Sequence, residues 1–388
     1  MLGISRSMAW AFGVTCLAIT SSVQAADEEK KAEAPADRIQ LAILLDTSNS
    51  MDGLINQART QLWKIVNELA TAKRNGQPPK LEVALYEYGK STLSQDSGYV
   101  QQLVPLTDDL DKISEELFAL KTQGGKEYCG QVISAATTEL KWSESNEDLK
   151  LIFIAGNEPF SQGPVDFKKA CSDAIAKGIT VNTIFCGPEQ QGIQTGWQQG
   201  AQLADGTFLN IDQDRQVAEV KTPFDEKLTK LSSEVNKTYV AFGAEPARAK
   251  LAARQSEQDK KAKEAAPAAG AERAAFKGSG QYRASGWDLV DALADGKVKL
   301  KDIKTEELPD ELKKMSLEDR EAFIEKKSAE REKIQKEIQE LSEKRKEYIA
   351  EKRREEAEKT GKAEADTLDA AVIKAIRKQA EKKKFDLE

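Results

Sequence analysis

The chain has 388 residues, with 58 lysines and arginines against 65 aspartates and glutamates, a net charge of −7, and no histidine. That length suggests roughly two or three structural units. A mean hydropathy of −0.57 argues against a polytopic membrane protein, and a pI of about 5.3 argues against a nucleic-acid partner. Without histidine there is no Ser-His-Asp triad, no Cys-His pair and no histidine-ligated zinc.

Arg6 is the only charge in the first 25 residues, and the apolar stretch Met8–Ile19 follows it. With Val23-Gln24-Ala25 behind them, these features predict a secretory signal peptide at residues 1–25, cleaved after Ala25. The apolar run is shorter than the ~20 residues a membrane span needs. The expected location is therefore periplasmic or secreted, with no membrane span after cleavage. Residues 26–37 are charged, Ala-rich and aperiodic, which predicts a disordered linker. Cys129, Cys171 and Cys186 remain in the mature chain, an odd number in an oxidising compartment.

From Arg38 to Asp214, apolar runs alternate with helical patterns. Ile39–Leu45 reads as a strand buried on both faces. Leu54, Ala58, Leu62, Ile65, Val66 and Leu69 then recur at helical spacing. Leu81–Tyr88 and Tyr99–Leu106 read as paired strands. A short helix around Ile113 and Leu117 follows, then a helix over Gln131–Leu140, a strand over Leu151–Ala155 and a helix over Val165–Lys177. Strand Ile179–Phe185, helix Gly196–Ala204 and strand Thr207–Ile211 close the series. The alternation predicts a doubly wound α/β fold: a mostly parallel sheet, covered on both faces, with one antiparallel edge strand.

Beyond Val217 the strand pattern stops, and Ala, Lys and Glu dominate. Residues 215–285 read as a helical connector, loosened at Pro267 and Gly270, and residues 286–388 as a helical, coiled-coil-like region. Ser316 and Asp319 form a variant capping box opening a long charged helix. In it Ile334, Ile338, Leu341 and Tyr348 fit a and d positions, but Arg331 and Arg345 also fall at d. Only about two heptads are apolar, fewer than a coiled coil requires. Two arrangements stay open: a helix laid on the globular part, or self-association through an intermolecular coiled coil. Trp287 is expected to anchor helix to head. The runs Lys352-Arg353-Arg354 and Lys382-Lys383-Lys384 sit among acids and read as solvated helix surface.

The strongest chemical motif is Asp46-Thr47-Ser48-Asn49-Ser50, directly after the first strand. In open α/β sheets, ligands bind outside the carboxyl ends of the strands. A carboxylate and two hydroxyls on one tight loop offer hard oxygen ligands to magnesium, with manganese or calcium as alternatives. Helix capping by Asp46, Ser48 and Ser50 would explain the same residues without metal.

Together, the strand Ile39–Leu45, the motif Asp46-x-Ser48-x-Ser50 and the doubly wound pattern to Asp214 resemble a von Willebrand factor type A domain, over residues 38–214. The resemblance implies a metal-ion-dependent adhesion site at the top of the sheet, with Asp46, Ser48 and Ser50 as ligands. Two further positions depart from the family pattern. Gly124-Gly125 is followed by Lys126 and Glu127 rather than threonine, and Gly156 stands where the fourth strand of the family carries an aspartate. Glu127 and Glu158 are the candidate replacements, giving a metal set of Asp46, Ser48, Ser50, Glu127 and Glu158. Alternatively, the site is degenerate and binds protein without metal. Gly124–Gln131, Phe153–Phe160 and Trp287–Ala292 also resemble a secreted bacterial variant of this domain, which implies no established activity. The positions implied by the fold make Cys129–Cys186 the more reachable disulfide.

Three functions follow. The first is a secreted binding or scaffold protein that engages a protein ligand at the top of the sheet. The second is a structural envelope protein working through its helices. The third is a metal-assisted hydrolase, for which no nucleophile and base pair in a recognisable order and no catalytic residue is named.

Overall fold

The computed structural model describes residues 37–211, 220–360 and 368–387. The expected signal peptide and all but the last residue of the linker lie outside the described residues, as does the expected boundary at 214. Strand β1 (Arg38–Asp46) leads through a single 3-10 turn into α1 (Asp52–Ala70). β2 (Lys80–Tyr88) and β3 (Val100–Thr107) form the hairpin, followed by α2 (Leu110–Ala119) and α3 (Cys129–Glu139). β4 (Leu149–Gly156), α4 (Phe167–Ala176), β5 (Ile179–Cys186), α5 (Glu189–Gln194), α6 (Trp197–Leu203) and β6 (Phe208–Ile211) complete the sheet region. The short helix α5 has no counterpart in the apolar periodicity.

The sheet order is β3-β2-β1-β4-β5-β6, with all neighbours parallel except β2 and β3. β1 lies at the centre, paired with both β2 and β4. A strand in that position loses water from both faces, hence its nearly continuous apolar run. On one face Leu41, Leu45, Leu151, Phe153 and Ile184 pack with α1 and α2. On the other, Leu44, Ile152, Ile154 and Val181 pack with α3 and α4.

The helical region consists of α7 (Asp225–Asn236), α8 (Ala247–Ala265), α9 (Pro267–Gly278), α10 (Leu289–Ala294), α11 (Asp310–Lys313), α12 (Leu317–Thr360) and α13 (Leu368–Lys382). The described residues all belong to one compact unit. Pro267 makes no loose hinge. Ala266 is extended and Pro267 takes the first position of α9, so the chain turns tightly from α8 into α9. α9 is the hub: it packs on α7, α8, α12 and, through Phe276 against Trp63, on α1. α13 returns to the sheet, burying Val372, Ala375, Ile376 and Ala380 in the same core as α1. Its Gln379 exchanges hydrogen bonds with Asn182 of β5.

α12 takes the intramolecular alternative. Ile338 is fully buried, and Ile334 and Leu341 pack with it against Leu228, Leu231 and Val235 of α7. The arginines that interrupt its heptad seam explain why. Arg331 reaches Asp288 at 2.7 Å and Asp291 at 2.8 Å. Arg345 reaches Asp225 at 2.7 Å and Glu272 at 2.5 Å. Both d-position cations thus find carboxylates within their own chain. At the start of the helix, the Asp319 N–H donates to Ser316 Oγ, whose hydroxyl donates to Asp319 Oδ2, so the box closes through the hydroxyl. Trp287 stacks on Tyr239 at 5.2 Å and anchors the helical region to itself rather than to the sheet.

Candidate functional site

Asp46 ends β1 opposite Tyr88 of β2, and Gly156 of β4 lies one residue beyond the Leu45–Ala155 pair on the other side. Three parallel strands therefore finish side by side at this point. The following loops are sewn together by main-chain bonds. The Thr47 N–H donates to Tyr88 O (2.8 Å), the Gln123 N–H to Thr47 O (2.9 Å) and the Asn49 N–H to Gly124 O (2.9 Å). Asn49 Oδ1 accepts from the Gly124 N–H at 3.0 Å, and Gln162 Oε1 accepts from the Glu127 N–H at 2.7 Å. These bonds fix the Asp46–Ser50 loop against the Gly124–Glu127 loop.

Asp46 is fully buried. Its Oδ1 accepts from the Ser48 N–H at 2.8 Å, and its Oδ2 is buried without a hydrogen-bond partner. Gly89, at φ +85°, allows this approach: a Cβ there would lie 2.7 Å from Asp46 Oδ1. The Ser48 and Ser50 hydroxyls are 3.3 Å apart, and the Asn157 side-chain amide donates to Ser50 Oγ at 3.1 Å. Ser48, the N-cap of the turn that follows, makes no side-chain capping bond, so capping does not explain its place in the motif.

Burial pushes the Asp46 carboxyl up to about 8, with the charges of Glu127 and Glu158 adding to it and the Ser48 bonds opposing. Glu127, also buried, is raised by desolvation and by Glu158, while the Ser48 hydroxyl favours its ionised form. Ser48 thus serves both acids. Like charges are held together here, and Lys126 is the cation whose field favours ionised Glu127.

Of the five expected ligands, Asp46, Ser48 and Glu127 converge, and Ser50 sits at the exposed rim. Glu158 is half-buried, its backbone carbonyl held by the Trp197 indole N–H at 2.8 Å. It reaches the other two carboxylates only through its field. Among the described residues, no group of three or more Cys, Asp or Glu forms a metal cluster. The Asp46 and Glu127 carboxylates with the two hydroxyls nevertheless fit a hard cation. An unpartnered buried carboxylate oxygen is costly, and a cation would satisfy it. Tyr88, Gln162 and Asn157, which lie outside the motif, also shape the site, as does Asn49 within it, through its side-chain bond to the Gly124 N–H. The only sequence trace of Tyr88 is its place at the end of a buried strand.

The more reachable pair, Cys129 and Cys186, forms no disulfide: Cys129, Cys171 and Cys186 are free and buried. Cys186 belongs to the core with α1, whereas Cys129 and Cys171 belong to the opposite face of the sheet. Side chains alternate along β5, so Cys186 shares the face of Ile184, whereas Cys129 opens α3, which covers the other face, and the sheet separates the two thiols. Burial raises the Cys129 thiol well above its usual value, which removes it as a nucleophile.

Residues 40–204 match the family profile of the von Willebrand factor type A domain. No curated protein matches the chain. Among solved structures, an aerotolerance-related membrane protein from Bacteroides fragilis NCTC 9343 (with multiple mutations to serines) has 16% identity, covers 45% of this chain and 92% of its own, and has a TM-score of 0.31. BatB from Bacteroides thetaiotaomicron has 15% identity, coverages of 57% and 99%, and a TM-score of 0.34. Proximal thread matrix protein 1 from the mussel byssus, with zinc in its MIDAS motif, has 13% identity, coverages of 46% and 43%, and a TM-score of 0.34. Among the described residues, no helix is long and apolar enough to cross a membrane.

Proposed function

We propose that this chain, whose residues 40–204 are a von Willebrand factor type A domain, is a binding or scaffold protein that engages a protein partner at the top of its sheet through a divalent cation. The observation that carries this reading is Asp46: a fully buried carboxylate with one oxygen unpartnered, flanked by two hydroxyls and a second buried acid. Asp46, Ser48, Ser50 and Glu127 hold the cation, and Glu158 adds negative field from the rim. When bound, a magnesium-class ion supplies an electrophilic site that a carboxylate of the partner completes. The protein's own part is positional. The backbone bonds among the Thr47, Asn49, Gln123 and Gly124 loops fix the oxygens before anything binds. We assign no reaction to the site. The N-terminal residues 1–25 are read as an export signal, which places the domain in the periplasm or outside the cell.

Isothermal calorimetry of the full mature chain with Mg2+, Mn2+ and Ca2+ tests the cation. Saturable binding that Asp46→Ala abolishes and Ser48→Ala weakens by about tenfold is the expected result, a loss of ~1.4 kcal/mol for the second variant. Heat that is unchanged in Asp46→Ala sinks the cation-dependent reading.

A further inference from the structure

Tyr88 is a fully buried aromatic group at the candidate site, and it does not stay on its own strand. Its ring crosses below Asp46 at the end of β1, and its hydroxyl donates to Ala155 O of β4 at 2.9 Å. The same oxygen lies 3.7 Å from Cys129 Sγ. The phenol is fully buried. Gly156 follows Ala155. A Cβ built there would lie 2.6 Å from Tyr88 Oη, 3.1 Å from Asp46 Oδ2 and 3.1 Å from Trp197 Cη2. No side chain fits at position 156 while the Tyr88 hydroxyl is in place. Nothing about the backbone of Gly156 demands glycine, since it ends a regular strand without positive φ.

We propose that Tyr88 and Gly156 act as a pair that determines the ligand set of the site: the phenol occupies the space through which a side chain from the end of β4 would enter, so that of the two adjacent strand ends β1 and β4 only β1 supplies a carboxylate, Asp46. This proposal rests on the cation reading above. Its content is a specificity device. Cation contact is restricted to Asp46 from below and to Ser48, Ser50 and Glu127 from the loops, so the ion keeps open positions for water or a partner. Tyr88 is a positioning residue here, because its hydroxyl is committed to the Ala155 carbonyl.

Five variants of the full mature chain test the pairing: Tyr88→Phe, and Gly156→Ala and Gly156→Asp, each made alone and with Tyr88→Phe. The readouts are the melting temperature and the calorimetric affinity for Mn2+. Gly156→Ala alone should lower the melting temperature by about 5 °C through overpacking. In the Tyr88→Phe background, the same change should cost less than half of that. Tyr88→Phe/Gly156→Asp should bind Mn2+ at least tenfold tighter than Tyr88→Phe. If that double variant does not fold, the alanine pair alone decides. Equal costs of Gly156→Ala in both backgrounds, or Gly156→Asp alone melting as wild type and binding as tightly as the double variant, overturns the proposal. A wild-type chain that binds no cation while the double variant does would sink the cation reading and leave the pairing standing. Wild-type binding with no gain in the double variant does the reverse.

Discussion

The helical region and the top of the sheet bury charge in opposite ways. In the helical region every buried cation has carboxylates beside it. Arg273 pairs with Asp111 at 2.8 Å and Asp259 at 2.5 Å, and it stacks over Trp63. Lys277 meets Asp259 at 2.8 Å and two oxygens of Ser232 at 3.1 Å. Burial alone would raise Asp259, but Lys277 and Arg273 hold it below the usual carboxylate range. Burial lowers Lys277 to about 8 against the pull of Asp259. At the top of the sheet the acids Asp46 and Glu127 are buried together, with no cationic side chain balancing Asp46 and one of its oxygens unpartnered. Paired burial fixes the arrangement of helices and leaves no valence for a ligand. Unpaired burial stabilises nothing by itself, and it leaves an open valence at the surface loops.

Cutting one paired cation should show the largest effect. Arg331→Ala strands Asp288 and Asp291 in the interior, with the Thr238 hydroxyl and carbonyl losing their donor as well. A destabilisation of about 3–5 kcal/mol is expected in urea unfolding. A change under about 1 kcal/mol would mean that the pairing does not hold α12.

Removing the unpaired charge should act the other way. The Asp46 carboxyl is raised in the folded chain from 3.8 to about 8. Its contribution is fully present at low pH and is lost as pH rises through the folded value, because the unfolded chain ionises freely. In chelator, Asp46→Asn should therefore gain on wild type progressively from about pH 4 upward, by roughly 4 kcal/mol between pH 5 and pH 8, and level off above pH 9. Added Mg2+ should reverse the order by stabilising only the wild type. A flat difference across this range would show that the site is already compensated. The smallest effect belongs to a solvated pair: Lys227–Glu337 at 2.6 Å is exposed on both sides. Glu337→Ala should cost no more than about 0.5 kcal/mol by thermal melting, and a larger loss would blur the contrast between buried and surface pairing.

Much of the fold was legible in the chain. Ile39–Leu45, Leu151–Ala155 and Ile179–Phe185 read as strands because a parallel strand buried on both faces must be continuously apolar. Asp46, Ser48 and Ser50 stood out because they follow such a strand at once. Arg331 and Arg345 looked like faults in a coiled coil, since periodicity counts them as polar and cannot see Asp288, Asp291, Asp225 or Glu272. Glu158 was legible as an acid near the right loop, but not that it acts on Asp46 and Glu127 through its charge alone.

The sequence by itself determined the parallel sheet and the oxygen chemistry of its top. Both follow from local pattern: apolar runs lose water together, and a histidine-free loop offers only oxygens and thiols. Tertiary structure alone decided that α12 folds onto α7 and α9, that Cys129 and Cys186 lie on opposite faces, and that Tyr88 reaches across β1 to Gly156. Each of these depends on contacts between residues far apart in the chain, where side-chain direction and a distance of an ångström or two settle what composition and spacing leave open.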